Sequence, residues 1–140
     1  AVVGGCPLCY ISSGRPSWRA RAHARDHGDH ELDHAEAIAR DFGSLDRWRV
    51  EFSAMGKAEG GGSGWVILAY SPRDKRLVNQ WAADHTTTLA GGRPVLVLDM
   101  YEHAYHMDYG AAAAKYVDVF MEAIRWEAAA KLYGRYAREA

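Results

Sequence analysis

The run Gly60-Gly61-Gly62-Ser63-Gly64 limits the folding of this chain more than any other stretch. Four glycines in five residues end any helix entering from the N-terminal side, because ordering glycine costs more backbone entropy than ordering any other residue. The hydrophobic period changes across it. Trp65-Val66-Ile67-Leu68-Ala69-Tyr70 is apolar on both alternating faces, the pattern of a strand that is central or well covered. On the other side, Leu45, Trp48, Phe52 and Met55 recur at steps of three and four, so one face of a helix is buried. Ser44 stands where it can cap the start of that helix, and Gly43 where it can close an earlier one running from Ala35 to Arg40.

Beyond Tyr70, Ser71-Pro72-Arg73-Asp74-Lys75 is turn chemistry, and Arg76 to Ala82 returns as a second strand. So short a connection implies an antiparallel hairpin. Asp84 to Gly92 reads as a polar loop holding His85, and Pro94 opens a third strand, Val95 to Leu98. Two helices close the chain. Ala111 to Ile124 carries the stripe Tyr116, Val117, Phe120, Met121 and Ile124, and Trp126 to Ala137 places Leu132, Tyr133 and Tyr136 on one side. The expected fold is α+β: a small three-stranded antiparallel sheet flanked by helices.

That pattern begins at residue 35. Residues 1–34 are expected to form an atypical segment, extended or partly helical, with little that could build a core. His23, His27, His30 and His34 recur there at intervals of three and four, which makes His30 and His34 a candidate i, i+4 pair of metal ligands. A solvated helix or a disordered polar segment fits the same alternation of Arg, Asp, Glu and His equally well. Cys6 and Cys9 form a single C-x-x-C, readable as a redox pair, half of a zinc site or two incidental thiols.

The chain has 140 residues and a net charge of -1, which argues for one domain and against a broad nucleic-acid surface. No apolar run approaches the roughly 20 residues of a membrane span. The glycine run lacks G-K-[ST] and precedes its strand, so it is no phosphate-binding loop. The start has neither an initiator methionine nor an intact signal peptide, so a processed form or a fragment is expected.

The chemistry concentrates where the third strand ends, in Leu98-Asp99-Met100-Tyr101-Glu102-His103-Ala104-Tyr105. If the chain turns helical there, Asp99 and His103 lie on one side of the turn. Carboxylate oxygen and neutral imidazole nitrogen together suit a metal such as iron or manganese. By itself a D-x-x-x-H pair is also met as an ordinary helix-start carboxylate followed by an unrelated histidine.

Its setting resembles the iron/manganese superoxide dismutase family. The resemblance rests on Arg40-Asp41-Phe42-Gly43-Ser44, Gly62-Ser63-Gly64-Trp65, the Asp99 to Tyr105 motif, Asp108-Tyr109 and Trp126. It covers about residues 35 to 138, corresponding to that family's C-terminal α/β domain. It implies Asp99 and His103 as metal ligands, and Trp65 as a residue lining the metal pocket. It makes His85 the group hydrogen-bonded to metal-bound solvent, and Glu102 the carboxylate that reaches a ligand histidine of a partner subunit. The implied activity is dismutation of superoxide with one iron or manganese per chain, in a homodimer of the cytoplasm, or of an organelle if the chain is processed.

The departures are specific. The family's N-terminal helical hairpin, with its H-x-x-x-H-H-x-x-Y and N-H-x-x-x-W contexts and two further histidine ligands, has no counterpart, and the segment before Ala35 is shorter than that hairpin. The missing ligands would come from His30 and His34 or from a partner chain. Otherwise the fold serves as a non-catalytic subunit of a larger assembly. Tyr101 stands where the family usually has tryptophan, Ile67 where a second pocket tryptophan is common, Gly61 where phenylalanine is usual and His106 where a tyrosine is usual.

Overall fold

The computed structural model describes residues 34–60 and 62–140. Two helices come first, α1 (His34–Phe42) and α2 (Leu45–Ala58). The turn between them is built as the sequence implies. Gly43 takes φ +89° and donates its N–H to the Ala39 carbonyl, and the Ser44 hydroxyl accepts from Arg47 N–H at 3.1 Å.

After the glycine run come β1 (Trp65–Ser71), β2 (Arg76–Ala82) and β3 (Arg93–Asp99), all antiparallel, in the spatial order β2-β1-β3. The central position of β1 explains why its sequence is apolar on both faces. One irregularity was not foreseen. The β1–β3 register slips between Leu68 and Ala69, which pair with Leu96 and Pro94. Pro94 has no N–H to give the ladder, so a bulge at this point costs little. As a result Val95 and Leu96, consecutive in sequence, both pack against the main core.

That core lies between one face of the sheet and the helices. Trp48, Phe52, Val66, Leu98, Met100 and Val117 are fully enclosed in it. α3 (Glu102–Tyr109), α4 (Ala113–Ala123) and α5 (Trp126–Arg138) complete the fold. α3 is joined to α4 by the stacked rings of Tyr105 and Tyr116, 5.3 Å apart. Asp41 at the end of α1 accepts the outward N–H of Leu77 at 2.7 Å, so α1 satisfies part of the free edge of β2.

The opposite face of the sheet is different. Ile67, Ala69 and Ala82, flanked by Trp65, Val78 and Val97, form a second apolar cluster made of strand residues alone. Strand alternation places Asp99, paired with Trp65 across the ladder, on this same face. Among the described residues, no helix is long and apolar enough to cross a membrane.

Candidate metal centre

β3 ends in a carboxylate because Asp99 is where the chain stops being a strand. Its Oδ1 accepts the N–H of Tyr101 at 2.9 Å, an Asx-type turn that leads directly into α3. One helical turn on, His103 comes back over the carboxylate, with Nε2 3.1 Å from Oδ2. The side chain of Asp99 is 11% exposed and that of His103 66%, so the pair has a buried anionic floor and an open imidazole rim. A carboxylate oxygen and an imidazole nitrogen at this separation could both reach one metal ion. That donor set suits iron or manganese.

Three further side chains gather at this point. The ring of Tyr101 stacks on His103 with centroids 5.8 Å apart, and lies 5.6 Å from Trp65 and 5.2 Å from His85. Trp65 meets His85 edge-on at 5.7 Å. Tyr101 Oη and His85 Nδ1 are hydrogen-bonded at 3.3 Å. Residues 84–87, which carry His85, are shaped by Asp84, whose Oδ1 accepts from the N–H and hydroxyl of both Thr86 and Thr87. Those bonds, from the Thr86 hydroxyl foremost, hold the Asp84 carboxyl down at about 2.

The structure therefore brings Asp99, His103, Trp65 and His85 together. Glu102 stands exposed at the first turn of α3. His34 is not brought to the pair. Its ring stacks on Trp126 at 5.5 Å, at the junction of α1 and α5, and Trp126 in turn packs edge-on against Trp48. Among the described residues, no three His, Cys, Asp or Glu side chains gather where they could hold a metal, and His34 stands apart from the pair. The geometric reason is that the start of α1 is tied into the helical layer, whereas Asp99 faces the other side of the sheet. His30, Cys6 and Cys9 lie outside the described residues.

Sequence reasoning noted Tyr101 only as a departure from tryptophan and gave it no role. The structure makes it the centre of the ring cluster. The signal was present in its position, between the two candidate ligands and of a type that can both stack and hydrogen-bond.

Comparison with known proteins identifies the family of the chain. Residues 30–132 match the family described as iron/manganese superoxide dismutases, C-terminal domain. The chain is 69% identical over 103 residues to the iron superoxide dismutase of Cupriavidus metallidurans, an alignment covering 74% of this chain and 52% of that protein. It is 43% identical over 100 residues to manganese superoxide dismutase 2 of Halobacterium salinarum, covering 71% and 48%. With the iron superoxide dismutase of Methanothermobacter thermautotrophicus it shares 41% identity over 101 residues, covering 71% and 48%. The chain spans about half the length of these curated relatives.

Proposed function

The chain belongs to the iron/manganese superoxide dismutase family, whose C-terminal domain it matches over residues 30–132, and from that premise we propose that it takes part in superoxide dismutation as the half of the unit that supplies Asp99 and His103. The observation that carries the proposal is the Nε2–Oδ2 approach of 3.1 Å at the end of β3, inside the cluster of Trp65, His85 and Tyr101. Iron or manganese bound there would supply one-electron oxidation and reduction of successive superoxide ions.

The chain's own residues do the rest. Asp99 contributes a negative charge that favours the more oxidised metal, and its low exposure keeps that charge poorly screened. Tyr101, stacked on His103 and packed on Trp65, walls one side of the pair. Conversion of two superoxide ions into oxygen and hydrogen peroxide consumes two protons. His85 and Tyr101 hold an exchangeable proton between Nδ1 and the phenol oxygen, beside the pair. We take Glu102 to accept the free N–H of a ligand imidazole in a second copy of the chain, as the family resemblance implies, and its exposure on α3 supports a homodimer as the matching assembly.

Two donors are half of a ligand set. The apolar cluster on the sheet face that carries Asp99 is built of strand residues alone, with no helix residue packed into it among the described residues. The relatives are about twice as long as the matched region. Both observations support a helical hairpin of the family's kind as the element that packs on this face and delivers the remaining histidines, from elsewhere in the protein or from a partner.

The test is metal analysis of the purified chain after loading with iron or manganese, with dismutase assays alongside. Retained metal that disappears in Asp99→Ala and His103→Ala supports the reading. A chain that holds neither metal and shows no activity after loading overturns it and leaves the non-catalytic subunit as the reading to pursue.

A further inference from the structure

Glu59 is a buried titratable group that the chemistry above does not use. It closes the C-terminal end of α2, its backbone N–H donating to the Gly56 carbonyl at 3.2 Å. Both of its carboxyl oxygens are shut away from solvent, with no hydrogen-bond partner among the described residues. An anion in that position is costly, because nothing replaces the water it has lost. Burial accordingly pushes the Glu59 carboxyl up to about 7.

What lies against it gives the burial a purpose. A methyl group placed on Gly64 would stand 2.5 Å from Glu59 Oε2, 2.9 Å from the Ala82 carbonyl oxygen and 3.0 Å from Trp81 Nε1. Three polar atoms thus converge on the space that Gly64 leaves open by having no side chain. A neutral carboxyl has an O–H to give to the Ala82 carbonyl. The ionised form has none, and can only accept from the indole N–H. Gly64 is also fixed on its other side, where its carbonyl accepts the N–H of Met100 at 3.0 Å. Trp65 follows immediately and packs on His85 and Tyr101.

We propose that Glu59 is a positioning residue, seated as the neutral acid against the Ala82 carbonyl, that fixes Gly64 and thereby sets Trp65 against His85 and Tyr101. The proposal rests on the reading above only in taking Trp65 as a wall of the site. The charged groups next to Glu59 in α2 and beyond β2 are engaged elsewhere. Lys57 of α2 pairs with Asp118 of α4 at 2.6 Å, and Asp84 beyond β2 is held by Thr86 and Thr87. The titratable side chains of β1 and β2, Tyr70 and Arg76, lie at the far end of the hairpin from Gly64.

The direction of the pH effect follows from the raised value. The folded chain binds more protons than the unfolded one, so stability falls as the pH rises from 4.5 to about 7, and the loss is complete above that.

The experiment uses the full chain without added metal, so its outcome does not depend on whether Asp99 and His103 bind one. Near-ultraviolet circular dichroism and thermal unfolding are followed between about pH 5 and about pH 8.5 for wild type, Glu59→Gln and Glu59→Ala. Wild type is expected to change its aromatic signal with a midpoint near 7 and to lose stability progressively up to that pH. Glu59→Gln, which keeps a donor for the Ala82 carbonyl, is expected to show the low-pH signal throughout, and Glu59→Ala the altered signal throughout. Carbon NMR titration of Glu59 in the unsubstituted chain reads the same proton directly should either variant fail to fold. A transition that persists in Glu59→Gln, or a carboxyl already ionised near pH 5, overturns the proposal.

Discussion

The backbone N–H of Met100 donates to the carbonyl of Gly64 at 3.0 Å, one residue beyond the point where Trp65 and Asp99 pair across the β1–β3 ladder. This bond ties the residue after the candidate ligand to the residue before the pocket tryptophan. The carboxylate is therefore held by sheet geometry on one side and by the Tyr101 N–H on the other, before any metal arrives. A carboxylate held in this way would not have to be ordered by a metal.

Asp99→Asn separates charge from shape. The amide oxygen still accepts from Tyr101 N–H, so the thermal midpoint should move little. Manganese or iron affinity should fall more than about 100-fold, beyond the usual effect of losing a group that merely supports a ligand. Calorimetric titration with the metal, alongside a melting curve, distinguishes this from a folding defect. Equal losses of stability and affinity would sink the assignment.

Tyr101→Phe removes the bond to His85 Nδ1 and keeps the stacking on His103. The cost in stability should be about 1 kcal/mol or less, because a partly exposed hydrogen bond contributes little net. The nitrogen NMR pattern of the His85 ring should shift towards a mixture of tautomers. An unchanged ring spectrum would show that the contact does not orient His85.

Gly56→Ala sets helix propensity against packing. Alanine is favoured over glycine in a helix interior by about 1 kcal/mol. Here the new methyl would stand 2.7 Å from Leu98 Cδ2 and within 3.3 Å of both Val117 methyls, and those residues are wholly buried. Overpacking of this kind costs about 1–3 kcal/mol, so the variant should be less stable on balance. Urea unfolding measures the difference, and a stabilised variant would contradict the close approach of α2, β3 and α4.

Trp48→Phe should cost about 1–3 kcal/mol. The side chain is fully buried, its Nε1 donates to Asn79 Oδ1 at 3.0 Å, and Asn79 in turn donates to Glu51 at 2.8 Å. Adding Asn79→Val should recover part of the loss, because the stranded acceptor goes too. Unfolding of the four members of that double-mutant cycle reads the coupling, and strict additivity would deny it.

Asp41 should account for part of the loss of stability in acid. Burial by itself would raise its carboxyl. The paired donors of Arg40 and the N–H of Leu77 outweigh this and hold it below the ordinary value of 3.8. Its contribution is thus present above that value and lost as the pH falls through the lower folded value. Asp41→Asn should flatten the acid side of the stability profile while lowering the neutral plateau by about 1–2 kcal/mol. Parallel acid limbs in the two proteins would contradict this.

Much of the fold could be read in the sequence because its signals are local. Gly43 and Ser44 cap the helices they border, the Gly60–Gly64 run separates α2 from β1, and β1 is central as its two-faced apolar pattern implies. The bulge at Leu68/Ala69 was not legible, although its cause, Pro94, was in view. A missing N–H matters only once the partner strand is known. Asp99 and His103 were legible because a single helical turn joins them. His34 carried the same chemistry and the same helical spacing to His30, yet its ring lies on Trp126. Ligand spacing along a helix says nothing about which side of a sheet that helix will cover.

The sequence by itself determined the family, the order of the elements and the closeness of Asp99 and His103, since each depends on residues within a few positions of one another. Only the tertiary structure decided that Tyr101 centres the rings, that Glu59 is sealed beneath Gly64, and that Asp99 emerges on the face whose apolar cluster is built of strand residues alone. Those facts depend on strand register and helix docking. Register is set by pairing across the whole sheet, and docking by the helical faces that pair with it, and both are summed over contacts far apart in the chain.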